Sequence, residues 1–144
     1  MKTHILSLMC LIAVPALAEG GTPDKQIVVE LSLRSDTGVV HCTLWKSPEG
    51  FPKEYKKAAA RVDAQGIKDK RARCVFTGVE AGTWAISVFH DEDGNGELKT
   101  NFVGVPQEPL GFSNNAKATF GPPKFDDAKF SYDGKALVLT IVPS

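Results

Sequence analysis

Trp84-Ala85-Ile86-Ser87-Val88-Phe89-His90 reads as an extended segment. Side chains of a strand alternate between faces, so Trp84, Ile86, Val88 and His90 share one face and Ala85, Ser87 and Phe89 the other. Both faces are largely apolar, which predicts a central strand covered on both sides. The same two-residue period recurs upstream. Ile27, Val29, Leu31 and Leu33 alternate with Val28, Glu30, Ser32 and Arg34, and Val40, Cys42 and Leu44 alternate with Val39, His41, Thr43 and Trp45. Asp36-Thr37-Gly38 turns the chain between these runs, and the short gap from Leu33 to Val39 predicts a hairpin. Ala72, Cys74 and Phe76 alternate with Arg71, Arg73, Val75 and Thr77. Downstream, Ala128, Phe130 and Tyr132 lead into Asp133-Gly134, a hairpin signal, and then into Leu137, Leu139 and Ile141.

Lys53 to Asp63 is the exception. It is rich in helix formers, which predicts a short surface helix. Strands and helices do not alternate, which excludes a parallel α/β sheet. The expected fold is all-β: an antiparallel β-sandwich of about seven strands, immunoglobulin-like in class, with one short helix and one long ordered loop.

Asp91 to Asp126 is that loop. It has no period and holds five glycines, four prolines and four asparagines. Loops of this length inside a compact domain are usually functional or disordered. Phe102, Val103, Leu110, Phe112, Phe120 and Phe125 are candidates to pin it down. Its first residues place side-chain oxygens at alternate positions, Asp91, Asp93 and Asn95, with Gly96 next. That is the first half of a calcium-loop pattern. Glu97 would offer a backbone carbonyl at the seventh position. The pattern then breaks, because Lys99 and Phe102 stand where further ligands belong and a strand precedes the loop. The loop is not an EF-hand, and calcium would need an oxygen from Glu108 or Asp126. Asp91, Asp93, Asn95, Glu97 and Glu108 are the candidate calcium ligands, with weak affinity expected. The same residues also fit a loop that closes on its own backbone, since Asp and Asn accept amide hydrogen bonds in turns and glycine supplies positive φ.

His90 ends the central strand. It fits a hydrogen bond to neighbouring loop backbone better than a metal ligand or a base. A hydrolase built on His90 with Ser87 or Ser113 lacks a nucleophile motif such as G-x-S-x-G. The sequence therefore favours a non-enzymatic protein and names no catalytic residue. A metal- or His-dependent hydrolase and a structural subunit assembling through an edge strand at Ile27 to Arg34 are the alternatives.

The first eighteen residues read as an export signal: Lys2, an apolar run from Ile5 to Leu17, and the small-x-small site Ala16-Leu17-Ala18. A lipoprotein anchor at Cys10 is disfavoured by bulky Met9. Cleavage after Ala18 would leave one domain, 19–144, in the periplasm or outside the cell. No apolar run reaches the ~20 residues of a membrane helix, so no membrane insertion is expected. Acidic and basic residues balance at 17 each over the whole chain, which argues against nucleic acid. A monomer with a protein or glycan partner is expected. Cys42 and Cys74 are the two cysteines beyond residue 18. In an exported chain they suggest a disulfide, with two buried thiols as the alternative.

Several linked motifs then resemble one family. They are His90-Asp91-Glu92-Asp93-Gly94-Asn95-Gly96-Glu97-Leu98, Thr100 to Glu108, Gly111-Phe112-Ser113-Asn114-Asn115, Gly121-Pro122-Pro123 and Phe125 to Phe130. Glu49-Gly50-Phe51-Pro52 and Gly82 to Val88 also fit. Together they resemble the bacterial domain-of-unknown-function 2141 family across nearly all of 19–144. The resemblance implies a small exported protein and a sandwich of the transthyretin-like or carboxypeptidase-regulatory kind. It brings no activity with it. It also implies Asp where this chain has Lys99, a departure that weakens any calcium site or lets the Lys99 ammonium stand in for the ion.

Overall fold

A computed structural model describes residues 23–144. Nine strands occur among them: β1 Gln26–Ser32, β2 Val39–Trp45, β3 Ala60–Asp63, β4 Ile67–Lys68, β5 Arg71–Thr77, β6 Gly82–Asp91, β7 Leu110–Phe112, β8 Phe130–Tyr132 and β9 Leu137–Ile141. They form two facing sheets. One runs β4-β5-β1-β9; the other runs β3-β2-β6-β7, with β8 also paired to β6. All pairings are antiparallel except β1 with β9. The fold is a β-sandwich, as the periodicity predicts.

The alternating apolar sets fill the space between the sheets. Ile27, Val29, Leu31, Val40, Cys42, Leu44, Cys74, Phe76, Ile86 and Val88 form one core cluster. Cys42 and Cys74 are joined by a disulfide that crosses from one sheet to the other, with Cα atoms 6.4 Å apart. A smaller cluster lies on the outer face of the second sheet, where Phe112, Phe125 and Ala128 cover Trp45 and Ala85. This second layer buries both faces of β6, the central strand the sequence predicts.

Five expectations are corrected. The runs 27–33 and 39–45 are not a hairpin: β1 pairs with β5 and β9, while β2 pairs with β3 and β6. Their inward sets face the same core from opposite sides, and periodicity alone cannot tell that from pairing. β1 is consequently an interior strand and offers no edge for assembly. Asp133-Gly134 likewise joins strands of different sheets. Lys53 to Asp63 is not a helix; it holds a single 3₁₀ turn, Tyr55–Lys57, and then β3. As a helix the run would bury only Tyr55, Ala58, Ala59 and Val62, two of them alanines, whereas as a strand it satisfies the free edge of β2 (Cys42 opposite Val62). Finally, 91–126 is only partly loop, since it carries β7 and leads into the helical turn α1, Phe125–Ala128.

Candidate functional site

β6 ends by changing chemistry between His90 and Asp91. His90 faces the core and is fully buried. Its Nε2–H donates to the Thr37 carbonyl at 2.8 Å, the loop-backbone bond the sequence favours. Asp91, on the opposite face, opens the acidic loop. Gly38 lets the β1–β2 connection lie against it: a Cβ there would stand 1.9 Å from the Asp91 carbonyl oxygen.

Side-chain oxygens hold this loop from within. Asp91 Oδ1 accepts from the amides of Gly94 (2.9 Å) and Asn95 (3.2 Å), and Oδ2 accepts from Gly96 (2.7 Å). Glu108 Oε1 accepts from the amides of Glu92 (2.9 Å) and Asp93 (3.4 Å), and Oε2 accepts from Lys99 (2.9 Å). Asp93 Oδ1 accepts from Asn95 N–H at 3.1 Å, and Asn95 Oδ1 from Glu97 N–H at 2.8 Å. Asp91 and Glu108 are buried while Asp93 is exposed. A buried carboxylate is costly unless hydrogen-bonded, and the amides meet that cost here. Burial pushes the Asp91 carboxyl up. The Gly96, Gly94 and Asn95 amides outweigh it and hold the group below its ordinary value.

One oxygen from each of Asp91, Asp93 and Glu108 can be chosen so that all lie within 4.8 Å of one another. Such a trio of hard, anionic oxygens can coordinate a divalent cation. Of the other candidates, Asn95 turns its side-chain oxygen toward Glu97, and the exposed Glu97 carboxylate lies outside the trio. Asp126 is also outside it, paired with Lys129 at 2.9 Å. Lys99 does not stand in for an ion: it reaches Glu108 through its backbone amide and forms no side-chain ion pair among the described residues.

Two supports escaped sequence reading. Arg34 Nε donates to Glu92 Oε1 at 2.9 Å, and its Nη2 bonds Glu92 Oε2 and the Gln107 carbonyl. Ser35 Oγ donates to Glu92 as well. The Arg34 hydrogen bond dominates; although burial opposes it, Ser35 assists, and the Glu92 carboxyl is lowered to about 2. His41 lies between Asp63, 2.6 Å from Nδ1, and Asp91, 3.6 Å from Nε2. Pairing β2 with β6 sets His41 diagonally beside Asp91, but the order of strands is not written in either run.

Ser87 and Ser113 do not make a triad with His90. Ser87 is on the opposite face of β6 and accepts from Trp45 Nε1 at 2.8 Å. Ser113 Oγ accepts from Ile86 N–H and donates to the Ala128 carbonyl.

A family model described as "Uncharacterized protein conserved in bacteria (DUF2141)" matches residues 28–140. No curated protein and no solved structure matches the chain.

Proposed function

The chain belongs to the bacterial DUF2141 family, and from that premise we propose an exported, non-enzymatic β-sandwich whose 91–108 loop binds calcium and presents a surface to a partner. The observation that carries this reading is the convergence of Glu108 with Asp91 and Asp93, 15 or more residues upstream, to within 4.8 Å. Three carboxylates that close repel one another, and a divalent cation relieves the repulsion. Hard oxygen donors suit calcium or magnesium rather than softer metals. Calcium accepts the more irregular geometry of such a loop, with water and backbone carbonyls completing six to eight ligands. Only three side chains supply charge and all three already accept amide bonds, so affinity should fall in the weak extracellular range, about 10⁻⁴–10⁻³ M.

A second reading has its own support. Asp91 and Glu108 each accept three amide bonds as they stand, so the loop can close on itself without an ion. Thermal unfolding of the chain without residues 1–18, in chelator and across a calcium series, separates the two. A ligand at about a hundred times its Kd adds about 2.7 kcal/mol, several degrees for a domain of this size. A saturable rise that Asp93→Ala abolishes is the expected result. A flat response to about 10 mM, above the weak range, leaves the self-closed loop.

A further inference from the structure

The exposed aromatics of the long loop do not pin it down. Phe112 and Phe125 are buried, but Phe102 is 100% exposed, Val103 65%, Val105 51% and Leu98 38%. These four sit on or beside a small hairpin that rises directly from the acidic loop. Gln107 N–H donates to the Lys99 carbonyl at 2.8 Å, and Asn101 N–H to the Val105 carbonyl at 2.9 Å. Gly104 N–H donates to the Asn101 carbonyl, while the Asn101 side-chain oxygen takes the amides of Val103 and Val105. The tip is thus a preformed apolar knob. It turns its side chains outward and satisfies these five amides within itself.

We infer that this knob docks on an anionic phospholipid surface, with the cation of the 91–108 loop bridging to the headgroup phosphates; the inference rests on the cation reading above. Two observations select this occupant. The four side chains expose on the order of a few hundred Å². A stable protein interface takes about 800 Å² from each partner, and a second copy meeting only this tip falls short of that. A bilayer needs no complementary pocket, and the five internally closed amides lower the cost of bringing the tip into a poorly hydrated layer. Charge does not choose the occupant but sets the cation dependence: residues 91–108 hold five acidic side chains and one basic, Lys99, so anionic headgroups repel the loop and contact needs a divalent cation to bridge carboxylate and phosphate.

The dimensions agree. Lys99 to Phe102 is three residues, at most about 10 Å of chain. Interfacial side chains reach about 5–10 Å into the headgroup–acyl boundary. The Lys99 amide bonds Glu108 Oε2, so with Phe102 at that boundary the carboxylate trio stays within reach of the phosphates, as does the Lys99 ammonium, free of ion pairs among the described residues. The tip would touch the surface layer only; among the described residues no helix is long and apolar enough to cross a membrane.

The test is co-sedimentation of the protein with vesicles of phosphatidylcholine, alone or mixed with phosphatidylglycerol, in calcium or chelator. Thermal unfolding is followed in parallel without lipid. Binding is expected on the mixed vesicles in calcium, falling about tenfold or more in chelator and with Phe102→Asp. Phe102 touches nothing, so Phe102→Asp should keep the parent unfolding temperature and its calcium shift. A calcium shift without vesicle binding overturns the inference and leaves the cation reading standing. Phe102-dependent binding that ignores chelator, with no thermal shift, overturns the cation reading and the bridging mechanism together. Failure to bind vesicles alongside a dimer that Phe102→Asp dissociates assigns the knob to self-association and overturns the lipid assignment.

Discussion

β6 up to His90 and the loop from Asp91 to Glu108 are neighbours in sequence, yet different forces hold them. β6 is held by apolar side chains on both faces: Ile86 and Val88 against the inter-sheet core, Ala85 against Phe112, Phe125 and Ala128. The loop buries few apolar groups and is held by carboxylates that gather amides. Apolar burial is non-directional and indifferent to protonation. A carboxylate cage is directional, ionised and sensitive to acid and to cations. Each region should therefore fail under a different stress, and four perturbations test this.

Breaking the core should cost most. Replacing Cys42 and Cys74 together by Ala opens a crosslink of 32 residues' separation. The chain-entropy argument puts the loss at about 4 kcal/mol. Denaturant unfolding should show that loss, while any calcium-dependent increment stays unchanged. An altered increment would mean the two regions are coupled.

Next comes the cage. Asp91→Ala removes the acceptor of three amides at the buried root of the loop. A buried donor left unsatisfied costs about 1–3 kcal/mol, and access to water at the exposed end keeps the total near that of one such group. Hydrogen exchange should speed at Gly94, Asn95 and Gly96 while Ile86 and Val88 keep their protection. Loss of protection along β6 would show that the loop holds the strand.

Acid should separate the regions without mutation. Asp91 and Glu92 are depressed below their ordinary values of 3.8 and 4.5, Glu92 to about 2. The unfolded chain then binds more protons than the folded one. Their contribution is complete above pH 4.5 and is lost as pH falls through about 2 for Glu92. The Arg34 partner is half exposed, so solvent screening keeps the ion-pair share under about 1 kcal/mol. In an NMR titration the amide protons of Gly94 and Gly96 should move with a midpoint below 3.8, while core methyl signals hold until global unfolding. A midpoint above 3.8 would mean that burial outweighs the amides.

The same division explains what was legible in the sequence. Period-two runs assign faces, so most inter-sheet core residues could be read directly from 27–33, 40–44, 72–76 and 84–90. Faces do not name partners, which is why β1 with β2 and β8 with β9 were expected as hairpins. Propensity misled at Lys53 to Asp63, where the edge of β2 recruited a helix-forming run as β3. Asp91, Asp93 and Asn95 were legible because the calcium-loop spacing is local. Glu108 could be named only as a possible supplier, and Arg34 not at all, because each reaches the loop across strand pairings that no local pattern encodes. Phe102 and Phe120 looked like anchors by composition, and exposure shows that they are not.

The smallest expected effect is also the most discriminating, because its sign reverses. Asp93 is exposed, and its carboxylate accepts only from Asn95 among the described residues. Asp93→Asn keeps a side-chain oxygen for the Asn95 amide and removes one of three negative charges that approach within 4.8 Å. Like charges about 4 Å apart repel by about 1 kcal/mol even at the dielectric constant of water. In chelator the variant should therefore unfold at the same temperature as the parent or slightly above it, by no more than about 1 kcal/mol. In saturating calcium it should unfold below the parent, because the ligand set has lost a charge and the linkage energy with it. A self-closed loop predicts no such crossing, since the parent and the variant would keep one order in both solutions.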